Sequence, residues 1–330
     1  MSVRIILLSI LLAAAGSAFC QPAPAAPAWP APPDRARIRH LQTISSFEGF
    51  DENKGFFARI VRFFTGGERE KQWLVQPVGI AAARTGRLFV ADPGANGVHV
   101  IDLPARKYEF LGGTKTAGFV SPVGVALAVD GTVYVSDSKR GEVDAFDSDL
   151  KFQFAITGHL QRPTGLAVAH GRLYVADAGR QAVVIFDLKG SYVTEFGKRG
   201  AGAGEFNFPV SVAGGSDSLF VVDALNYRVQ EFDSTGRFIS TFGTQGNVAG
   251  RFASPKSIAF DSDRNLYVTD ALMDNVQIFD PSGSLLLIVG RSGSRDGEFS
   301  SPGGIAIGSD NRIYVVETLN RRIQVLEYLP

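Results

Sequence analysis

The stretch Pro209–Gly243, PVSVAGGSDSLFVVDALNYRVQEFDSTGRFISTFG, decides the fold. Its apolar residues alternate with polar ones in short runs, the period-two pattern of strands that bury one face. A first run, Val210 to Ala213, ends in the turn formers Gly214 to Ser218, and a second run covers Leu219 to Asp223. Asn226 and Tyr227 lead into a third, Arg228 to Phe232. Asp233-Ser234-Thr235-Gly236 then makes a hairpin turn before a fourth, Arg237 to Phe242. Four antiparallel strands without an intervening helix make up one blade of a β-propeller.

The unit recurs along the chain. A Pro, usually followed two residues later by Gly and then an aliphatic, stands at Pro77, Pro122, Pro163, Pro209, Pro255 and Pro302, in steps of 45, 41, 46, 46 and 47 residues. A second landmark keeps the same beat: an aromatic, Val, a small or β-branched residue and an acid. It runs Phe89–Asp92, Tyr134–Asp137, Tyr174–Asp177, Phe220–Asp223, Tyr267–Asp270 and Tyr314–Glu317. Helical solenoids are excluded by turn residues every six to eight positions, and α/β folds by the lack of helix-length segments between strands.

The unit resembles the NHL repeat, whose third landmark is Asn-x-Arg-Val/Ile. That landmark is complete at Asn226-Tyr227-Arg228-Val229 and at Asn320-Arg321-Arg322-Ile323. It is partly kept at Arg180-Gln181-Ala182-Val183 and at Asp274-Asn275-Val276, and reduced to Val98 and Val143 in the first two copies. The resemblance spans about Pro77 to Leu329. It implies an all-β, six-bladed propeller with four-stranded antiparallel blades. The sixth copy stops after three strands, at Leu329-Pro330, while Ile38 to Ser46 is a β-compatible segment with no blade of its own. Pairing that N-terminal strand as the outer strand of the last blade closes the ring and removes an exposed edge.

The first 36 residues read differently. Arg4, the apolar run Ile5 to Ala15 and the small residues Gly16, Ser17 and Ala18 describe a signal peptide over residues 1–20. Two readings of its end stay open: ordinary cleavage near Ala18 or after Cys20, or lipidation of Cys20, with Phe19 departing from the usual small residue. Residues 21–36, rich in Pro and Ala, suit an extended tether. The propeller then occupies residues 37–330 and is expected outside the cytoplasm: periplasmic, secreted or lipid-anchored to the envelope. A helical insertion is expected near residues 55–66. Its segment Phe56–Phe64 either docks on the ring or presents Phe side chains to a membrane or partner.

Composition narrows the function classes. Lys+Arg 33 balance Asp+Glu 33, so no global basic field favours nucleic acid, and no nucleic-acid partner is expected. Cys20 is the single cysteine, so the propeller has no disulfide or thiolate chemistry. Enzymes of similar shape exist, such as the peptide-amidating lyase with a histidine-held metal and lactonases with carboxylate and amide ligands. The four histidines here, His40, His99, His159 and His170, occupy unrelated places in the repeat, and no nucleophile elbow or phosphate-cradling loop occurs. No catalytic residue, cofactor or metal is therefore assigned.

The loops between second and third strands and the connections between blades should share one face. The acids ending the second strands are expected there to accept backbone N–H bonds. Basic and amide residues on that face, Lys139, Arg140, Arg180, Asn226, Arg228 and Arg321, are candidates for a binding rim. Lys256 joins them because it opens an innermost strand where its counterparts are Val78, Val123, Thr164, Val210 and Gly303. The expected function is a noncatalytic scaffold recognising a protein, peptide or envelope polymer through this face. The alternative is an envelope hydrolase or lyase with a site in the axial channel.

Overall fold

The structure is a computed structural model and describes residues 26–31, 33–46, 50–52, 74–114, 117–215 and 218–330. Six antiparallel blades form a closed ring whose innermost strands are Gly79–Ala82, Pro122–Leu127, Pro163–Ala169, Pro209–Gly214, Pro255–Phe260 and Pro302–Ile307. Each blade then runs outward in sequence order, as period-two patterning joined by short turns dictates. Among the described residues there is no α-helix, only the 3-10 turn Ala224–Asn226. The expected signal peptide with Cys20 and the expected Phe56–Phe64 helix lie outside the described residues.

Closure occurs as the repeat count requires. Ile38–Ile44 pairs antiparallel with Arg322–Tyr328, from Ile38 opposite Tyr328 to Ile44 opposite Ile323. A bulge between His40 and Gln42 interrupts the register. Ile38 and Ile44 are buried, at 1% and 8% exposure, so this strand contributes packing as well as hydrogen bonds.

Two blades depart from four strands. Ala28–Trp29 adds a fifth strand to blade six, and Asp51–Glu52 pairs parallel with Lys107–Leu111 at the outside of blade one. The end of the Pro/Ala-rich segment is thus not a free spacer. Its backbone satisfies the outer edge of Ile38–Ile44, Arg37 N–H donates to the Trp29 carbonyl, and Trp29 packs on the cluster holding Ile38 and Phe299.

No single centre holds the molecule together. Six apolar clusters each span a pair of neighbouring blades; the one joining six to one combines Val316, Ile323 and Val325 with Ile80, Leu88 and Ile101. The innermost strands converge so closely that a Cβ at Gly79 or Gly124 would lie 2.2 Å from the Val123 or Thr164 carbonyl oxygen of the next blade. This is the physical reason for the Pro-x-Gly landmark. Hydroxyls also bridge blades: Ser136 donates to the Thr164 carbonyl at 2.6 Å, Thr269 to that of Gly303 at 2.6 Å, and Thr318 to that of Pro77 at 2.8 Å.

Candidate functional site

The six repeated acids sit at the ends of the second strands and are completely buried, at 0% exposure. Each fastens the start of its blade. Asp177 accepts N–H bonds from Gln161 and Arg162 ahead of the innermost strand, and from Gly179 and Arg180 in its own turn. Asp137 and Asp270 repeat that pattern, and Asp92 accepts from Val75, Gln76 and Ala95. Burial alone would raise the Asp92 carboxyl. The His99 hydrogen bond and the Val75 and Gln76 N–H bonds outweigh it and hold the group below its ordinary value. These carboxylates order loops, as expected from the repeat.

The Asn-x-Arg landmark has a structural task of its own. Asn226 Nδ2 donates to the Gly200 carbonyl and to Asp223. Arg228 donates to Asp223 and to the carbonyls of Ala201, Gly202 and Glu205, and Gln230 clasps Gly204 N–H and the Glu205 carbonyl. Asn320, Arg322 and Gln324 do the same for the connection entering blade six, on Gly293, Ser294, Arg295, Gly297 and Glu298. The side chains therefore clamp the blade-to-blade loops. Phe206, Phe252 and Phe299, each fully buried, anchor the three matching loops from inside. Sequence reasoning missed these anchors, although Gly204-Glu205-Phe206, Gly250-Arg251-Phe252 and Gly297-Glu298-Phe299 keep the repeat's beat.

The rim candidates consequently separate. Arg228 and Asn226 are committed to internal bonds. Arg180 forms a two-pronged ion pair with Glu195 at 2.7–2.8 Å, and Arg140 pairs with Glu142 and Asp144. Arg321 does not match Arg228; Arg322 does, and it is buried. Arg321 has an exposed side chain and occupies the left-handed fourth position of its turn, φ 52°; the half-buried Gln181, Tyr227 and Asp274 share only that backbone conformation. Lys139 is exposed on the corresponding turn of blade two.

Lys256 lines an axial cavity of about 400 Å³. The walls are the innermost strands of all six blades, and six aliphatic side chains, Ile80, Val125, Leu166, Val212, Ile258 and Ile305, ring it. Among the described lining residues Lys256 alone is charged. Its side chain is exposed, and no described residue forms an ion pair or hydrogen bond with it. As the second residue of its strand it sits at the end facing the loops, where Phe208, Ala271, Ser301 and Thr318 also reach the cavity. Beside Ala271 and Thr318 stand Leu272 and Leu319, exposed by 73% and 70%; Leu225, at the same turn position of blade four, is exposed by 52%. The first three blades carry Gly94, Lys139 and Gly179 there. At this turn position the last three blades thus present exposed leucines and the first three do not. The sequence signal was available: a Leu two residues beyond the repeated acid in each of the last three copies.

The four histidines are scattered. His40 is on the closing strand, His99 bonds the Tyr108 hydroxyl at 2.9 Å inside blade one, His159 stacks on Tyr192, and His170 lies in the turn Ala169–Arg172. Among the described residues no group of three His, Cys, Asp or Glu could hold a metal ion.

Blade two contains a titrating group. Asp144 stands where blades four to six have the clamping glutamines, and it is fully buried. Burial first, then the charge of Glu142, push its carboxyl up to about 6, against the pull of Arg140. A raised acid stabilises the fold below its ordinary value of 3.8, and that contribution is lost as pH rises through about 6. Asp144→Asn should therefore gain about 1–3 kcal/mol at pH 8 and nothing at pH 4. Urea unfolding at both pH values measures this; an equal change at both would refute it.

The closed ring and its axial cavity define the molecule as a six-bladed β-propeller. In agreement, residues 158–213 match the profile of a family described as 6-bladed beta-propeller. No curated protein matches the sequence significantly. Among solved structures, a protein of unknown function from Bacteroides thetaiotaomicron is similar with a TM-score of 0.66 at 16% identity, covering 88% of this chain and 75% of its own. An auxiliary nutrient binding protein from the same organism gives 0.63 at 16% identity, over 77% and 69%. Virginiamycin B lyase from Staphylococcus aureus gives 0.55 at 14% identity, over 77% and 96%. At these identities the likeness is one of fold.

Proposed function

We propose that the chain is an exported NHL-repeat propeller that binds a protein, peptide or envelope polymer on its loop face, without catalysis. The observation that carries this reading is the channel mouth, where Lys256 stands without a partner among the described residues beside the exposed Leu272 and Leu319. Exposed apolar groups beside one charge that has no described partner are what a recognition surface needs. The clamps of blades four and six, built from Asn-x-Arg, support the NHL assignment. A leader ending near Cys20 and the Pro/Ala-rich segment support export.

The rival, an envelope hydrolase or lyase working in the channel, draws on the likeness to virginiamycin B lyase. The scattered histidines and the commitment of all six repeated acids to internal hydrogen bonds favour binding. Affinity capture of the protein from its native envelope should recover a stoichiometric partner, and the purified chain should be inert on lactone and peptide substrates. Recovery of an unaccompanied monomer would count against the binding reading. Turnover that needs a bound metal would establish the rival.

A further inference from the structure

Resting on the binding reading, we propose that the channel mouth takes an apolar peptide segment bearing one carboxylate, which pairs with Lys256 while neighbouring side chains cover Leu225, Leu272 and Leu319. Three features carry this. The first is charge: Lys256 is the single charge among the described residues lining the cavity, and it replaces the Val78, Val123 or Val210 of other blades. A cation with no described partner, at the mouth of a cavity ringed by aliphatics, favours one anionic group over neutral or cationic ones.

The second is shape. Leu225, Leu272 and Leu319 come from three consecutive blades, so they form an arc along half the mouth rather than one pocket. An arc of separate apolar contacts suits a chain of side chains, not one compact hydrophobic group. The third is asymmetry. At the matching turns, blades one and three carry Gly94 and Gly179, and blade two carries the cation Lys139. This difference sets an orientation for a bound segment, its carboxylate at the channel and its apolar side chains on the leucines of blades four to six.

The carboxylate has two sources, a chain terminus or an Asp or Glu side chain. The test uses labelled octapeptides rich in Leu, Phe and Ala in three forms: free C-terminal acids, C-terminal amides, and amides with one internal Asp. Fluorescence anisotropy with the purified full chain reads binding. At least one carboxylate form should bind ten-fold or more tightly than the plain amides, and which form does so identifies the source. Lys256→Val, which copies blades one, two and four and so preserves the fold, should erase that preference. Leu272→Ser with Leu319→Ser should weaken every form.

Equal binding of acids and amides, or a preference that survives Lys256→Val, would overturn the inference. So would tighter binding of dodecanoate than of any peptide, or self-association of the full chain abolished by the leucine substitutions. An envelope partner captured equally well by Lys256→Val would overturn the carboxylate inference alone and leave the binding reading standing. Absence of any partner and any peptide binding sinks both.

Discussion

A chain lacking residues 26–46 should lose cooperative folding of all six blades, not only of the last. Those residues supply the outer strand Ile38–Ile44 and the short strand Ala28–Trp29 of blade six. Their removal strips Ile38, Ile44 and Trp29 from two blade seams and exposes the whole Arg322–Tyr328 edge. Each fully buried Ile is worth about 1.5–3 kcal/mol. The larger loss is topological. The seam between blades six and one is built like the other five, and opening it lets neighbouring seams admit water in turn. Thermal melting followed by circular dichroism should show the transition lowered by more than ten degrees or abolished, an amount of the order of several kcal/mol for a domain. A peptide of residues 26–46 added in trans should restore part of it. A truncated chain that melts with the parent's midpoint would refute this account of closure.

Arg322→Ala should be the most damaging single substitution among the rim and clamp residues, costing about 3–5 kcal/mol. It leaves Glu317, completely buried, without its cation, and strips donors from the carbonyls of Ser294, Arg295 and Glu298. Adding Glu317→Gln should recover part of the loss, since the orphaned charge is then gone. The neighbouring exposed Arg321→Ala should cost under about 0.5 kcal/mol. Chemical denaturation of the parent, the three variants and Glu317→Gln alone measures the Arg322–Glu317 cycle and the Arg321 contrast. Equal effects of the two arginine substitutions would show that the clamp contributes nothing. The contrast matters for function too, because a binding defect in Arg322→Ala or Arg228→Ala would report loop collapse rather than loss of a ligand contact.

The fold was legible because its causes are local and repeated. Six copies of aromatic-Val-x-acid, each in step with a Pro that in four of them opens Pro-x-Gly, specify strand order, turn positions and copy number, and a sixth copy short by one strand specifies the closing segment. The function of the repeated acids was legible for the same reason: an acid at every strand end, before a turn, has backbone N–H groups within reach. Lys256 was legible as an outlier against five counterparts.

What the sequence could not separate were residues of one chemical type in different roles. Arg228, Arg321 and Lys139 all read as basic residues of one loop face, and Arg322 only as the Arg of its landmark. Only the tertiary structure brings the 197–208 and 290–301 connections over Arg228 and Arg322, which turns those two into internal clamps, while Arg321, in a left-handed turn, stays exposed. It likewise turned the end of a Pro/Ala-rich segment into an edge strand, because a free strand edge lay within reach. The arc of Leu225, Leu272 and Leu319 is the same kind of fact: each is separated from the next by 47 residues, and only ring geometry places them around one mouth. Periodicity along the chain fixes which strands form, whereas the solvent exposure and bonding of each loop side chain depend on groups far away in sequence.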